Sequence, residues 1–370
     1  MLLLSLVLLE IAARIGLVLW PHFHKPTVMD VLPGNPAYAA FPWARECMKE
    51  HVAHEHDTYF PFRLWGVAES HGICLNNDLT DLGIVRRTIN PSNPACSDHA
   101  KLKVWMFGGS AVYGTLIPDG ATLPSQLSQI LNTSSRCVEI SNLGVEGYVT
   151  NQELLLLIEK LKAGHVPDAA IFYDGFNDAD EGTSPPGSAA HLRYMTIQRR
   201  LEGSLSSRLD ILPHFAAWRF AQTLSGPKGR KGQPRVSDVQ LPERAQQTLN
   251  NYLQNLEIIR ALGELYRFKV CAFWQPTLTY GHKPLVPYER QFLEQSTTEV
   301  FPFAALEPVY RKAAQRSQLG RQFIFLGDIF NDQSQPLYLD WVHLNPEGNK
   351  LVAQAVARQL DSCLSRESSE

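Results

Sequence analysis

From residue 101 onward, short apolar runs alternate along the chain with longer segments in which apolar residues recur at helical spacing. A short apolar run between polar residues is typical of a buried strand, and the longer periodic segments are typical of amphipathic helices. Strands that alternate with helices predict a parallel sheet covered by helices on both faces. The predicted strands are KVWMF (103–107), CVEIS (137–141), AAIFY (169–173), VCAFW (270–274) and QFIFL (322–326).

The predicted helices carry start and stop signals. Thr150 and Glu153 have the spacing of a capping box, in which two side chains satisfy backbone N–H groups at the start of a helix. Gly164 is predicted to end that helix, because glycine accepts the left-handed backbone found there. A long helix is predicted over 242–266, and Asn345 is the predicted N-cap of the last helix.

Two segments depart from this alternation. Residues 21–100 are rich in Pro, His, Asn and Asp and have only short apolar runs, so we interpret them as an irregular, ordered N-terminal extension. Residues 182–240 are rich in Ser, Pro and Gly and are interpreted as an insertion. The predicted organisation is an apolar helix over 1–20, the extension, and a main domain over 101–365 that contains the insertion.

The first twenty residues are largely apolar, and Glu10 and Arg14 interrupt them. These two residues stand four apart, so they can pair on a helix, which lowers the cost of burying them. The length suits a membrane-spanning helix, whereas a cleavable signal peptide would begin with positive charge and end in small residues. We therefore expect a membrane anchor with the main domain outside the cytoplasm. The alternative is a soluble protein in which an amphipathic helix packs on the domain.

The composition argues against nucleic acid as a binding partner and against a zinc site. The 370 residues are 44% hydrophobic and 19% charged with a net charge of −3, so the chain lacks the basic surplus of a nucleic-acid-binding protein. A basic stretch at 226–235 is rich in Gly and Pro and is interpreted as a loop. None of the six cysteines forms a C-x-x-C pair, which gives a zinc site no support. Their even number allows disulfides outside the cytoplasm.

A glycine-rich segment, FGGSAVYG (107–114), follows the first predicted strand of the main domain. A phosphate-binding loop would continue with Lys and then Ser or Thr after Gly114, and the chain has Thr115 and Leu116 there. A dinucleotide-binding turn needs three glycines at G-x-G-x-x-G spacing, which the segment does not supply. The remaining interpretation is that the glycines expose Ser110 as a nucleophile, although the segment is not the G-x-S-x-G elbow of α/β-hydrolases.

A nucleophilic serine needs a base, a group that orients the base, and donors for the developing oxyanion. Asp340 and His343, in DWVHLNPEG, are three residues apart, so a turn can point both side chains the same way. Gly147 and Asn177 follow the second and third predicted strands of the main domain. Because the carboxyl ends of parallel strands form the binding edge of such a sheet, we expect these groups to converge on Ser110.

Taken in order, these residues resemble the conserved sequence blocks of the SGNH hydrolases, also called the GDSL family. The matches are Ser110 to block I, Gly147 to block II, Asn177 to block III, and Asp340 with His343 to the D-x-x-H of block V. The resemblance covers most of the main domain. Block I is Gly-Gly-Ser here instead of Gly-Asp-Ser, which resembles the membrane-anchored bacterial branch of the family.

The resemblance implies a flavodoxin-like α/β/α sandwich with a mainly parallel sheet. It implies that Ser110 attacks an ester carbonyl, that His343 transfers the proton, and that Asp340 orients His343. The backbone N–H groups of Ser110 and Gly147 and the side-chain amide of Asn177 would bind the oxyanion. Such a mechanism requires no metal ion and no organic cofactor.

The implied activity is hydrolysis of a small acyl ester, acetyl foremost, carried by a small molecule or a carbohydrate. An O-acyltransferase with the same site is an alternative, because a sugar hydroxyl can replace water as the acceptor. A non-catalytic carbohydrate-binding or assembly protein on the same scaffold is another. A long-chain lipase would need an apolar groove, for which residues 214–224 are the candidate segment.

Overall fold

The alternation of strands and helices predicted from residue 101 onward is present in the computed structural model of the protein. The structure describes residues 2–19, 34–53, 58–92, 101–133, 136–184, 186–187, 190–202, 240–295, 303–319 and 323–364. Most of the predicted insertion lies outside the described residues, including the basic stretch at 226–235 and the apolar segment at 214–224.

The described residues fall into two compact units. The smaller unit contains the first helix of the chain and the helix at 194–201. The larger unit contains all of the described strands and the other described helices. The residues singled out for chemistry all belong to the larger unit, and they are Ser110, Gly147, Asn177, Asp340 and His343.

Five strands follow the predicted apolar runs, and four strands of three or four residues precede them in the chain. In chain order the described strands are β1 (Thr58–Phe60), β2 (Leu64–Gly66), β3 (Asn77–Thr80), β4 (Gly83–Arg86), β5 (Leu102–Gly108), β6 (Val138–Asn142), β7 (Ala169–Asp174), β8 (Lys269–Trp274) and β9 (Ile324–Phe325). β1 and β2 pair with each other as a separate hairpin.

The other seven strands form one sheet in the order β3-β4-β6-β5-β7-β8-β9. The strands from β6 to β9 in this order are parallel, whereas β3 and β4 extend the sheet antiparallel at one edge. The parallel part has the 2-1-3-4-5 order of flavodoxin-like folds, which confirms the expected fold class. Because β5 lies between β6 and β7, the segments that follow these three strands are neighbours at the carboxyl edge of the sheet.

Helices cover both faces of this sheet. In chain order the described α-helices are α1 (Leu2–Leu19), α2 (Pro36–Ala39), α3 (Ala44–Ala53), α4 (Ser110–Tyr113), α5 (Leu123–Leu131), α6 (Thr150–Lys162), α7 (Phe176–Thr183), α8 (Tyr194–Leu201), α9 (Leu241–Tyr266), α10 (Pro287–Gln295), α11 (Glu307–Leu319) and α12 (Pro346–Leu364). α5 packs with α12, and α9 packs with α6 and α11. The chain crosses from β5 to β6 in one direction and from β6 to β7 in the other, so right-handed crossovers put α5 and α6 on opposite faces.

Most of the predicted helix signals are confirmed. The side-chain oxygen of Asn345 accepts a hydrogen bond from the backbone N–H of Gly348 at 2.9 Å, which caps α12. Gly164 follows α6 with a φ of +86°, the left-handed conformation expected at a helix end. The long helix α9 spans Leu241–Tyr266 and so begins one residue before the predicted 242–266.

The predicted capping box of α6 is wrong. The N-cap of this helix is Val149, which makes no side-chain cap bond. The hydroxyl of Thr150 donates instead to Asp178 on α7. Glu153 is fully buried beside other carboxyl groups. Thr150 is therefore bonded to another helix and Glu153 is buried beside Asp174, so neither side chain caps α6.

The described part of the N-terminal extension is more regular than its composition indicates. It supplies helices α2 and α3, the β1-β2 hairpin and the edge strands β3 and β4. All of these elements except the ten-residue α3 have three or four residues, which is too short for a periodic pattern, and the composition therefore indicated an irregular segment. A disulfide joins Cys47 to Cys74 within the extension, and a second joins Cys271 on β8 to Cys363 on α12.

The first residues of the chain form helix α1, in which Arg14 and Glu10 pair at 3.1 Å as their spacing predicts. The expected anchor receives no support from the structure: within the described part of the chain, no helix combines the length and the apolar character that crossing a membrane requires.

Candidate active site

Ser110 lies where the central strand of the sheet ends. β5 ends at Gly108, and Ser110 is the first residue of the short helix α4. An N–H at the start of a helix has no acceptor within that helix, so the Ser110 N–H can serve a ligand. The side chain is half-buried at the carboxyl edge of the sheet.

A chain of hydrogen bonds links Ser110 to His343 and Asp340, more than 200 residues later in the sequence. His343 Nε2 lies 2.7 Å from Ser110 Oγ, and His343 Nδ1 lies 2.6 Å from Asp340 Oδ2. The other carboxylate oxygen of Asp340 accepts from the backbone N–H groups of Val342 at 2.9 Å and His343 at 2.8 Å. The D-x-x-H spacing thus forms a turn in which one carboxylate holds both the backbone and the imidazole.

The electrostatics of this pair follow from its burial and its mutual contact. Burial raises the pKa of the Asp340 carboxyl, but the charge of His343 and the hydrogen bonds that Asp340 accepts outweigh burial and place it below its ordinary value. Burial lowers the pKa of His343, but the charge of Asp340 and their hydrogen bond outweigh it and place the pKa above its ordinary value. The geometry therefore favours an ionised carboxylate beside a basic imidazole.

Asn177 reaches the same place from the next strand. It lies at the start of α7, directly after β7, and its side-chain N–H donates to the carbonyl of Tyr148 at 2.8 Å. A Cβ atom placed on Gly109 would lie only 2.3 Å from Asn177 Nδ2, so the amide packs against the backbone one residue before Ser110. Only glycine at 109 permits this close approach.

Gly147 lies in the segment after β6. Its φ of +73° is one that glycine adopts without strain, and the next residue, Tyr148, carries the carbonyl that holds Asn177. The five predicted residues thus separate into two groups. Hydrogen bonds join Ser110, His343 and Asp340 directly, whereas Gly147 and Asn177 connect to each other through Tyr148.

Asn142, at the end of β6, holds the first two strand-end segments together. Its buried side chain donates to the carbonyl of Val112 on α4 at 2.9 Å and accepts from the N–H of Gly144 at 2.9 Å. The first bond fixes the helix that begins with Ser110, and the second fixes the segment that leads to Gly147.

Three buried carboxyl groups lie behind Asn177. Asp178 accepts from both the backbone N–H and the hydroxyl of Thr150, which ties α7 to the start of α6. Burial raises the pKa of Asp178 to about 6, against the opposing effect of these bonds. Burial and the nearby Asp174 raise the pKa of Glu153, and burial with the charge of Asp178 raises that of Asp174. Sequence reasoning missed this cluster because its members lie on three different elements.

A buried ion pair supports the turn that carries Asp340. Glu289 on α10 pairs with Lys283 at 2.6 Å, and its other oxygen accepts from the N–H groups of Leu337 at 2.9 Å and Tyr338 at 3.2 Å. No sequence motif marks Glu289. Among the residues that the structure describes, no three His, Cys, Asp or Glu side chains are grouped so that they could hold a metal ion.

No model of a known protein family matches the sequence, and no curated protein matches it. In structure, the chain is similar to a lipolytic protein of the G-D-S-L family from Veillonella parvula, with 12% identity, a TM-score of 0.36, and coverage of 70% of this chain and 97% of that chain. It is also similar to Axe2, an acetylxylan esterase from Geobacillus stearothermophilus, with 15% identity, a TM-score of 0.34, and coverage of 72% and 94%. Because these identities and TM-scores are low, we infer the function from the geometry of the site.

Proposed function

We propose that the protein is a serine hydrolase that acts on esters. The observation that carries this proposal is the continuous hydrogen-bonded chain from Ser110 through His343 to Asp340 at the carboxyl edge of the sheet. Gly147 and Asn177 follow the two strands beside β5, where they can donate to an oxyanion. Acyl transfer by a serine needs a nucleophile, a base, a group that orients the base, and donors for the oxyanion.

In the first half of the reaction, Ser110 Oγ attacks the ester carbonyl carbon while His343 Nε2 takes the hydroxyl proton. The carbonyl oxygen becomes negatively charged and accepts hydrogen bonds from the N–H groups of Ser110 and Gly147 and from the amide of Asn177. The tetrahedral intermediate collapses as its bond to the alcohol oxygen breaks. His343 gives its proton to the departing alcohol.

In the second half, water attacks the acyl group on Ser110 and passes a proton to His343 Nε2. The acyl group leaves as a carboxylic acid, and His343 returns the proton to Ser110 Oγ. Asp340 remains ionised throughout, because its hydrogen bonds and the nearby imidazole keep its pKa below the ordinary value. Its charge stabilises the imidazolium that forms in both halves.

A panel of p-nitrophenyl esters together with a fluorophosphonate probe tests this function. We expect hydrolysis of short esters and covalent labelling at Ser110. Ser110→Ala should abolish labelling and lower kcat by about 10⁴-fold or more. Ser317→Ala is the matched control, since that hydroxyl bonds to backbone groups beside β9. Labelling that persists in Ser110→Ala, or a wild-type protein inactive on every ester, would refute the proposal.

The preferred acyl group in this proposal is short, with acetyl foremost. A Cβ atom placed on Gly147 would lie 2.7 Å from Leu192 Cδ2, so this exposed leucine stands directly against the oxyanion segment and limits the space there. Leu192→Ala should raise the octanoate-to-acetate ratio of kcat/KM by about tenfold, the usual effect of a few methylene contacts. An unchanged octanoate-to-acetate ratio would show that Leu192 does not limit the length of the acyl group.

The polar composition of residues 182–240 supports a carbohydrate or other small polar alcohol as the second half of the ester. Adding a sugar acceptor to the assay tests the transferase alternative, since a transferase would form a new ester instead of free acid. The Cys47–Cys74 and Cys271–Cys363 disulfides support a site outside the cytoplasm. The membrane anchor over 1–20 stays a prediction, and carbonate-washed membranes that fail to retain the full chain would contradict it.

A further inference from the structure

The two residues that flank Gly147 are both held by one side chain of the N-terminal extension. Trp65 on β2 donates its indole N–H to the carbonyl of Glu146 at 2.9 Å. Its ring meets the ring of Tyr148 edge to face, with centroids 5.6 Å apart. The hydroxyl of Tyr148 in turn donates to the backbone carbonyl of Trp65. Trp65 is only 1% exposed, so its side chain is buried where it makes these contacts.

Arg63, two residues before Trp65, further fixes Tyr148 against the β1-β2 hairpin. Its guanidinium donates to the hydroxyl of Tyr148 at 2.8 Å and to the carboxylate of Glu159 at 2.7 Å. The side chain of Gln152 donates to the Arg63 carbonyl at 2.9 Å. Gln152 and Glu159 lie on α6, the helix that follows the Gly147 segment. The hairpin strand β2 is therefore fixed to the segment and to the helix behind it.

The hydroxyl of Tyr148 can act as this donor over the ordinary pH range. Burial raises the pKa of Tyr148 to about 12, with Arg63 acting in the opposite direction. The phenol therefore remains protonated and can donate to Trp65 while it accepts from Arg63.

The same indole also touches the other wall of the Gly147 segment. The Trp65 ring lies 5.5 Å from the ring of His191, and the next residue, Leu192, stands against Gly147. Trp65 therefore contacts Glu146 and Tyr148 on either side of Gly147, and it also contacts His191, the residue before the leucine that stands against Gly147.

The orientation of two oxyanion donors, the Gly147 N–H and the Asn177 amide, depends on the backbone carbonyls of Glu146 and Tyr148. The Gly147 N–H belongs to the peptide bond whose carbonyl, that of Glu146, accepts from Trp65. The amide of Asn177 is oriented by the carbonyl of Tyr148 at 2.8 Å. A peptide plane is rigid, so a bond that fixes the carbonyl of one peptide unit also fixes the direction of its N–H.

We infer that Trp65 is a positioning residue that aims the Gly147 N–H, and through Tyr148 the Asn177 amide, at the oxyanion. This inference rests on the proposed function. Trp65 itself is buried and acts through the backbone that it holds, so it makes no contact with substrate. The N-terminal extension then contributes to catalysis by orienting the oxyanion donors.

Trp65→Phe tests this inference, because phenylalanine keeps an aromatic ring and removes the indole donor. We expect kcat to fall between about fivefold, the value of one ordinary hydrogen bond, and about 100-fold, the cost of misplacing a reacting group by 1 Å. KM should stay within about twofold, since the oxyanion exists only in the transition state. Trp43→Phe, in the same extension, is the matched control and should leave both constants unchanged.

Hydrogen exchange of the amides in 145–149 supplies a readout that does not need activity. These amides should exchange faster in Trp65→Phe than in the wild type or in Trp43→Phe. Tyr148→Phe is a second variant in case Trp65→Phe does not fold. It removes the reciprocal bond to Trp65 and should speed the same amides and lower kcat without raising KM.

The outcomes separate the inference from the function on which it rests. Unchanged exchange at 145–149, or faster exchange with an unchanged kcat, would overturn the positioning role of Trp65. A raised KM with an unchanged kcat would also overturn it, because that pattern belongs to substrate binding. An inactive wild-type protein whose Ser110 is not labelled would refute the proposed function and with it the catalytic role of Trp65.

Discussion

Replacement of Gly109 by alanine is expected to disable the site while leaving the fold in place. Gly109 stands between β5 and Ser110, and the side chain of Asn177 packs directly on it. Its φ is −82°, so Gly109 does not have the left-handed backbone that by itself favours glycine. The main perturbation is therefore a steric clash between the added methyl group and the side chain of Asn177.

The size of the effect follows from the distances. A Cβ atom on Gly109 would lie 2.3 Å from Asn177 Nδ2, whereas ordinary contact begins at 3.4 Å. The amide must retreat by about 1 Å, and a displacement of that size costs roughly 100-fold in rate. The retreat also weakens the 2.8 Å bond from Asn177 to Tyr148. One weakened hydrogen bond costs about 1 kcal/mol, so the unfolding temperature should fall by only a few degrees.

Steady-state kinetics on p-nitrophenyl acetate give the measurement. Gly109→Ala should lower kcat by about 100-fold with little change in KM. Gly120→Ala is the matched control, because the nearest atom to a Cβ there is 3.8 Å away. In the double variant with Asn177→Ala, the alanine at 109 should cost nothing further, since the group it displaces is gone. A kcat near the wild-type value, or full additivity in the double variant, would refute the steric argument.

Three further results are expected. Asn177→Ala should lower kcat by about 100- to 1,000-fold in steady-state assays, with KM nearly unchanged, because the lost donor acts in the transition state. The pH profile of kcat/KM should rise through the pKa of His343, which lies above its ordinary value, and Asp340→Asn should move that midpoint to lower pH. The unfolding free energy should fall as pH rises above the ordinary carboxyl range, because the folded chain keeps protons on Glu153 and Asp174 that the unfolded chain releases. Glu153→Gln should flatten that dependence in thermal melts, and a parallel curve would contradict the assignment.

The parts of the fold that sequence predicts well are those with a local physical cause. The central strands β5, β7 and β8 are apolar because most of their residues are buried on both faces of the sheet, and β7 is buried along its whole length. Asn345 caps α12 through its own local hydrogen bond. The D-x-x-H turn likewise needs only the three-residue spacing between Asp340 and His343. Local causes leave local signals, and those signals can be recognised in one sequence.

The parts that sequence could not predict depend on contacts between distant residues. Thr150 and Glu153 satisfy the capping rule, yet the first bonds to Asp178 and the second is buried beside Asp174. Trp65 and Glu146 are 81 positions apart in the chain, and neither belongs to a motif. Nothing near either residue in sequence specifies the partner, so only the folded chain reveals the contact.

Glycine at position 109, where the resemblance leads one to expect aspartate, has a steric explanation in this chain. The amide of Asn177 occupies the space that a side chain at 109 would need. Asn177 is held there from behind, because the adjacent Asp178 accepts both the N–H and the hydroxyl of Thr150 and so joins α7 to the start of α6. The carbonyl of Tyr148 holds the amide from the side. An aspartate at 109 would therefore have to displace a group that two elements fix, and Gly109→Asp should lose at least as much kcat as Gly109→Ala.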